Sequence, residues 1–220
     1  MGHVVVTGSN RGIGLALCKL FHARGDQVTA TCRMSSEALD SLGVNVMTGM
    51  DVTDDDAIAD LALRLEENPI DRLVLCAGIM RRQTLQALDI EGIREQFEVN
   101  ALGPLRWSAA LAPMIAPGGS IAIITSRMGS IEDNTSGGSY GYRMSKAAVN
   151  MAGKSLSHDL KDRGIAVAIL HPGWVQTDMT RHSGHVDAET AARGLMDRMD
   201  ELTLATTGSF WHAQGELLPW

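Results

Sequence analysis

The feature that most restricts the fold of this chain lies at its start. Val4-Val5-Val6 is an apolar run that leads into Thr7-Gly8-Ser9-Asn10-Arg11-Gly12-Ile13-Gly14. Ile13, Leu17, Leu20 and Phe21 then fall on one helical face, which stops at Gly25. A strand, a glycine turn and a helix N-terminus in that order make an anion site, because glycines let the backbone approach a phosphate while unpaired N–H groups point at it. An ordinary strand-to-helix turn has the same outline, but the Gly-x-x-x-Gly-x-Gly spacing so near the start favours a dinucleotide. Gly8, Ser9, Arg11, Gly12, Ile13 and Gly14 are therefore expected to hold one.

The pattern then repeats. Gln27 to Cys32 reads as a second strand ending at Arg33. An acidic residue at that point would accept from the ribose 2'-hydroxyl of NAD, whereas an arginine pairs with a 2'-phosphate. With Arg33 there and Arg11 in the glycine turn, the expectation is NADP(H) over NAD(H); a solvated loop charge is the other reading of Arg33. A third stretch, Val44 to Met50, leads to Asp51-Val52-Thr53. Asp51 can accept from an adenine amino group, although a plain loop Asp fits as well, and Thr53 with Asp56 suggests a capping box opening the helix of Ile58, Leu61 and Leu65. Leu73 to Leu75 then run into Cys76-Ala77-Gly78, small residues suited to backbone lying close beneath a flat ligand.

Residues 91–115 read as one long helical segment with Ile93, Phe97, Ala101 and Leu105 inward, and with Pro104 kinking it one turn past Asn100. A carbonyl freed there can hold a water. Pro117-Gly118-Gly119 is a turn, Ser120 to Thr125 a strand ending at Ser126, and the glycine-bearing loop Arg127 to Gly141 is expected to be mobile and near the site. A helix from Tyr142 to about Arg163, a strand from Ile165 to Leu170, the loop Pro172-Gly173-Trp174-Val175-Gln176-Thr177 and a helix around Ala188 to Met199 follow. Alternating strands and helices imply an α/β fold: one doubly wound parallel sheet with helices on both faces, with ligands outside the carboxyl ends of the strands.

Tyr142 and Lys146 are four apart at the head of a helix and project from one face. A free phenol has a pKa near ~10 and is a poor base at neutral pH, but a neighbouring cation stabilises the phenolate. Alone, the pair also fits a solvated helix face.

Bulk properties narrow the function. A formal charge of -7, with Arg81-Arg82 the only adjacent basic pair, disfavours nucleic acid and anionic membrane as partners. The amino terminus reads as a strand and not a signal peptide, and no stretch reaches the roughly 18–20 apolar residues of a membrane span. Cys18, Cys32 and Cys76 are far apart, and His171, His182 and His185 lack nearby thiol or carboxylate ligands, so no metal is expected. A reduced, cytoplasmic setting follows as the default.

Together these motifs resemble the short-chain dehydrogenase/reductase family over essentially the whole chain, as a single Rossmann-type domain, 1–220, of about seven strands. The segments Ser126 to Ile131, Gly137 to Arg143 and Gly215 to Trp220 are closest to the C-factor and sniffer carbonyl-reductase branch. The resemblance implies an NADPH-dependent reduction of a ketone or aldehyde. In it Tyr142 is the acid/base, Lys146 lowers its pKa and holds the nicotinamide ribose, Ser126 binds the substrate oxygen, and Asn100 anchors a water linked to Lys146. It places Asp51 and Val52 at adenine, Cys76, Ala77 and Gly78 under the cofactor, and Pro172, Gly173, Val175 and Thr177 along it. Cys76 stands where the family usually has Asn, and the short segment after Thr177 leaves a small substrate cover. The apolar helix headed by Tyr142, with its neighbour at 91–115, suggests a homodimer or homotetramer. The branch also admits a nucleotide-binding regulatory or signalling protein with little turnover.

Overall fold

The structure, a computed structural model, describes residues 1–220. Seven strands form one parallel sheet: β1 (His3–Thr7), β2 (Gln27–Thr31), β3 (Asn45–Met47), β4 (Ile70–Leu75), β5 (Ile115–Ile124), β6 (Ala166–His171) and β7 (Phe210–His212), in the order β3-β2-β1-β4-β5-β6-β7. The chain winds outward from β1 in one direction and, from β4, in the other. That reversal opens a crevice at the carboxyl ends of β1 and β4, where doubly wound sheets take their ligands.

Side chains alternate across each strand, so both faces must be covered. Val5, Leu73, Ile121 and Val167 join Trp107 and Leu111 in one apolar cluster, while Val4, Val6, Val74 and Ala122 join Leu17, Phe21 and Leu195 in another. The helices that supply these partners are α1 (Gly12–Ala23), α3 (Asp55–Leu65), α5 (Gly103–Leu111), α6 (Tyr140–Asp159) and α7 (Ala188–Asp200), with α4 (Ile90–Phe97) against α6 and a single turn, α2 (Glu37–Asp40), after β2. Phe21 and Trp107 are wholly buried, each contributing on the order of 1.5–3 kcal/mol relative to an exposed side chain.

Several expected elements are redrawn. The cap of α3 is Asp54, whose carboxylate accepts from the Asp56 and Ala57 amides; Thr53 instead donates from its hydroxyl and amide to Asp51. A carboxylate one residue nearer the helix wins the first-turn donors. The segment 91–115 is not one helix: α4 gives way to a π-helical turn, Glu98–Leu102, and then to α5, with Pro104 in its first turn where no amide donor is needed. That extra residue per turn rotates Leu105 outward, 41% exposed. Residue Ile115 already belongs to β5, which carries the Pro117-Gly118-Gly119 turn within its first half. The α6 helix starts two residues before Tyr142, at Tyr140, and ends at Asp159.

Candidate active site

The glycine turn is built so that nothing larger would fit. Gly8 has φ +67, and a Cβ on Gly14 would lie 2.2 Å from the Gly8 carbonyl oxygen. The Thr7 hydroxyl accepts from the amides of Cys76 and Ala77 at 3.0 and 3.1 Å, locking β1 to the end of β4. Ser9 donates to the Thr31 carbonyl at 3.0 Å, and Ser36 to that of Asn10 at 2.7 Å. Arg11 caps α1 in extended backbone without a side-chain cap, which leaves first-turn N–H groups for an anion. Such a cradle fits a dinucleotide pyrophosphate.

Both arginines expected at a 2'-phosphate lie beside this turn, each facing a carboxylate: Arg11 meets Asp178 at 2.9 Å and Arg33 stands 3.8 Å from Asp51. Burial pushes the Asp51 carboxyl up, but the two Thr53 donors and the Arg33 charge outweigh it and hold the group below the usual carboxylate range. Gly103 brings α5 against Val52, where a Cβ would stand 3.1 Å from Cγ2. Beyond β6, Pro172 and Gly173 turn the chain toward the cleft, Val175 pairs with Val186, and Thr177 reaches the glycine turn, its Cγ2 3.3 Å from a Cβ on Gly12.

At the centre of the cleft are Tyr142, Ser126, Lys146 and Asn100. Ser126, two residues beyond β5, caps the turn Arg127–Gly129, accepting from the Met128 amide at 3.1 Å. Tyr142 is 8% exposed; burial pushes its phenol up to about 12, with the Ser126 hydroxyl as the hydrogen-bonding group that opposes the rise. Lys146 donates to the Ile124 carbonyl at 3.0 Å, its Nζ 5.8 Å from the Tyr142 ring centroid. Burial lowers its pKa to about 8, against a small opposing effect of Cys76. The shift of the phenol is set here by burial, opposed by Ser126. The ammonium is aimed at a strand carbonyl, and desolvation acts on both groups, favouring a neutral phenol and weakening the cation.

Asn100 is fully buried in the π-helical turn, and its side chain is committed: Oδ1 accepts from the Ile79 amide at 2.8 Å, and Nδ2 donates to the Ile79 carbonyl and the Ser145 hydroxyl at 2.9 and 3.0 Å. It splices the chain beyond β4 onto α6 beside Lys146. A Cβ on Gly78 would lie 3.2 Å from Asn100 Oδ1 and 3.7 Å from Lys146 Nζ. Cys76 packs partly buried against the apolar cluster, and burial raises its thiol to about 12. It keeps the backbone link to Thr7 with no charged side chain of its own.

Sequence reasoning missed several groups. Ser145 is the buried partner of Asn100, signalled only by a polar residue on the inner face of α6. The loop expected to be mobile carries ties of its own: Arg143 donates to the carbonyl of Gly137 and to the Ser136 hydroxyl, and Arg127 pairs with Glu216. Gly129 lies so close to α6 that a Cβ would meet the Lys146 carbonyl carbon at 2.7 Å. His171 and His212 stand edge to face, ring centroids 4.9 Å apart. Burial, then the His212 and Arg127 charges, hold His171 neutral down to about 3. His182 bonds Asp178, and no group of three His, Cys, Asp or Glu side chains gathers.

Residues 2–187 match the model of the short chain dehydrogenase family. The chain belongs to that family. It is 42% identical, over the full length of both chains, to 1-hydroxy-2-glutathionyl-2-methyl-3-butene dehydrogenase of Rhodococcus sp. (strain AD45). It is 43% identical to the C-signal of Myxococcus xanthus over 69% of this chain and 93% of that protein. Among solved structures it resembles the NADPH-bound carbonyl reductase from chicken fatty liver (TM-score 0.92, 30% identity, 100% of this chain and 99% of the other). The carbonyl reductase Sniffer of D. melanogaster gives a TM-score of 0.94 at 29% identity, covering both chains in full. The protein is an oxidoreductase of this family, with a nicotinamide dinucleotide as its cofactor class, and no helix is long and apolar enough to cross a membrane.

Proposed function

We propose that this dehydrogenase reduces a ketone or aldehyde with NADPH, and that Tyr142 delivers the proton. The observation that carries the reading is a buried phenol at the head of α6, which burial holds neutral with a pKa of about 12 against a smaller opposing effect of Ser126. A neutral phenol can protonate a developing alkoxide, whose conjugate acid lies near the ~15.7 of water, but is rarely present as the base that alcohol oxidation needs. The nicotinamide supplies the hydride when bound. Ser126 orients the carbonyl oxygen toward Tyr142, Lys146 holds the ribose end of the cleft, and Asn100 fixes the turn on which Lys146 and Gly78 meet.

Arg11 and Arg33 support a preference for the phosphorylated cofactor. Each must exchange an exposed carboxylate partner for the 2'-phosphate, and exposed pairs of that kind hold one another by only about 0–1 kcal/mol. The Rhodococcus relative is named for a glutathionyl alcohol, which places thioether-bearing carbonyls beside simple ketones and aldehydes as substrates to try. Exposed Leu102, Leu105, Met144 and Met151 on the π turn, α5 and α6 support assembly through those helices.

The test is NADPH consumption across such a panel, with Tyr142→Phe alongside. Loss of turnover with unchanged NADPH affinity is expected; a fully active Tyr142→Phe would remove the phenol from the mechanism. Similarity to the C-signal keeps a second reading open, a protein whose output is cofactor occupancy. Tight NADP(H) binding with no turnover on any carbonyl would select it.

A further inference from the structure

Ser126 acts on substrate only if its hydroxyl keeps its place beside Tyr142, and the residue after it is a cation bound across the molecule. The guanidinium of Arg127 donates to Glu216 at 2.9 Å. It also lies 3.0 Å from Asp133 on its own loop, a contact that lacks hydrogen-bond geometry, so Glu216 is the carboxylate that directs it. Glu216 is itself fixed to the sheet. Beyond β7 the chain turns at residues 213–215 and runs back antiparallel, with His212 N donating to Glu216 O and Leu218 N to Phe210 O, both at 2.8 Å. Leu218 is buried with Ile169 and Phe210, and Trp220 stacks on Phe210 with centroids 5.5 Å apart. The same strand touches the loop again where the Trp220 carbonyl accepts from the Glu132 amide at 2.9 Å and the Ser130 hydroxyl at 3.2 Å.

We propose that this returning strand is a strap that sets the position of Ser126, with Glu216 and Arg127 as positioning residues for the reaction. The inference rests on the reading of Ser126 as the group that binds the substrate oxygen. Stability alone does not account for the arrangement, because side chains exposed at 41% and 58% gain little from pairing. Its consequence is geometric: the ion pair and the Trp220 carbonyl hold the loop on both sides of Ser130, and Ser126 caps the turn between them and β5. Near-attack geometry is sensitive to displacements of about an ångström, so a slack loop reduces kcat more than it weakens cofactor binding.

Glu216→Ala and Glu216→Gln would be compared with wild type for carbonyl reduction, NADPH affinity, thermal midpoint and amide hydrogen exchange. In Glu216→Ala, kcat should fall about tenfold, with NADPH affinity within about twofold of wild type and an unchanged midpoint, and the Met128 and Glu132 amides should exchange faster. Glu216→Gln keeps an acceptor oxygen and should recover part of both effects. Unchanged kcat and unchanged exchange in Glu216→Ala overturn the strap, as does a loss of kcat matched by a lowered midpoint in both variants. If Ser126→Ala is fully active, the reading of Ser126 fails separately; faster exchange at Met128 and Glu132 then still upholds the strap as the device that orders the loop, and unchanged exchange overturns it.

Discussion

Only two tyrosines occur in the chain, Tyr140 and Tyr142, so the ionisation of the central phenol can be followed directly. Burial raises Tyr142 from 10.0 to about 12, two units that correspond to about 3 kcal/mol favouring the neutral form. At pH 8 the phenolate fraction is then on the order of one in ten thousand, against one in a hundred for a free phenol. In the Tyr140→Phe protein, tyrosinate difference absorption in the absence of cofactor should show a single transition near 12. Lys146→Met should barely move it, since Lys146 Nζ is engaged at the Ile124 carbonyl; Ser126→Ala should push it higher. A midpoint at or below 10 in the free protein, or a large upward displacement in Lys146→Met, would refute the view that desolvation dominates this phenol.

Acid sensitivity should trace partly to His171. Its folded pKa is depressed from 6.5 to about 3, so below 6.5 the unfolded chain binds a proton that the native state refuses, and stability falls from there toward pH 3. By pH 5 the loss is about 2 kcal/mol, and urea midpoints at pH 7 and pH 5 should lie closer together in His171→Gln than in wild type. Gly14→Ala drives a methyl against the Gly8 carbonyl, which is backbone and cannot rotate aside; a loss of about 1–3 kcal/mol with cofactor affinity weakened at least about tenfold is expected by calorimetry. In Arg33→Ala, NADP(H) should bind about tenfold more weakly while NAD(H) is unaffected, and equal losses for both would remove the phosphate contact.

Much of this was legible in the sequence because it depends on local chemistry. The glycine turn, the strand runs of Val4 to Val6 and Leu73 to Leu75, and the α6 spacing of Tyr142 and Lys146 need only periodicity and backbone sterics to be recognised. What stayed hidden depends on distant partners. No pattern near Asn100 announces that its amide is consumed by Ile79 and Ser145, and the apolar spacing of Ile93, Phe97, Ala101 and Leu105 gives no sign of the π turn that places it. Glu216 and Arg127 are 89 residues apart, and Thr53, three residues before Asp56, has the spacing of a capping box although Asp54 next to it takes the donors. The engagement of Lys146 at the Ile124 carbonyl was hidden for another reason: spacing fixes which face a side chain leaves from, not which acceptor it meets.

The strand that returns from Ala213 toward Trp220 has one more effect. It occupies the outward hydrogen-bonding groups of β7, and the opposite margin of the sheet, β3, offers only three residues. A short edge strand at one margin and a covered β7 at the other are the devices by which sheets limit edge-on aggregation. Lengthening of the sheet at the β7 margin would have to start from the returning strand rather than from β7 itself.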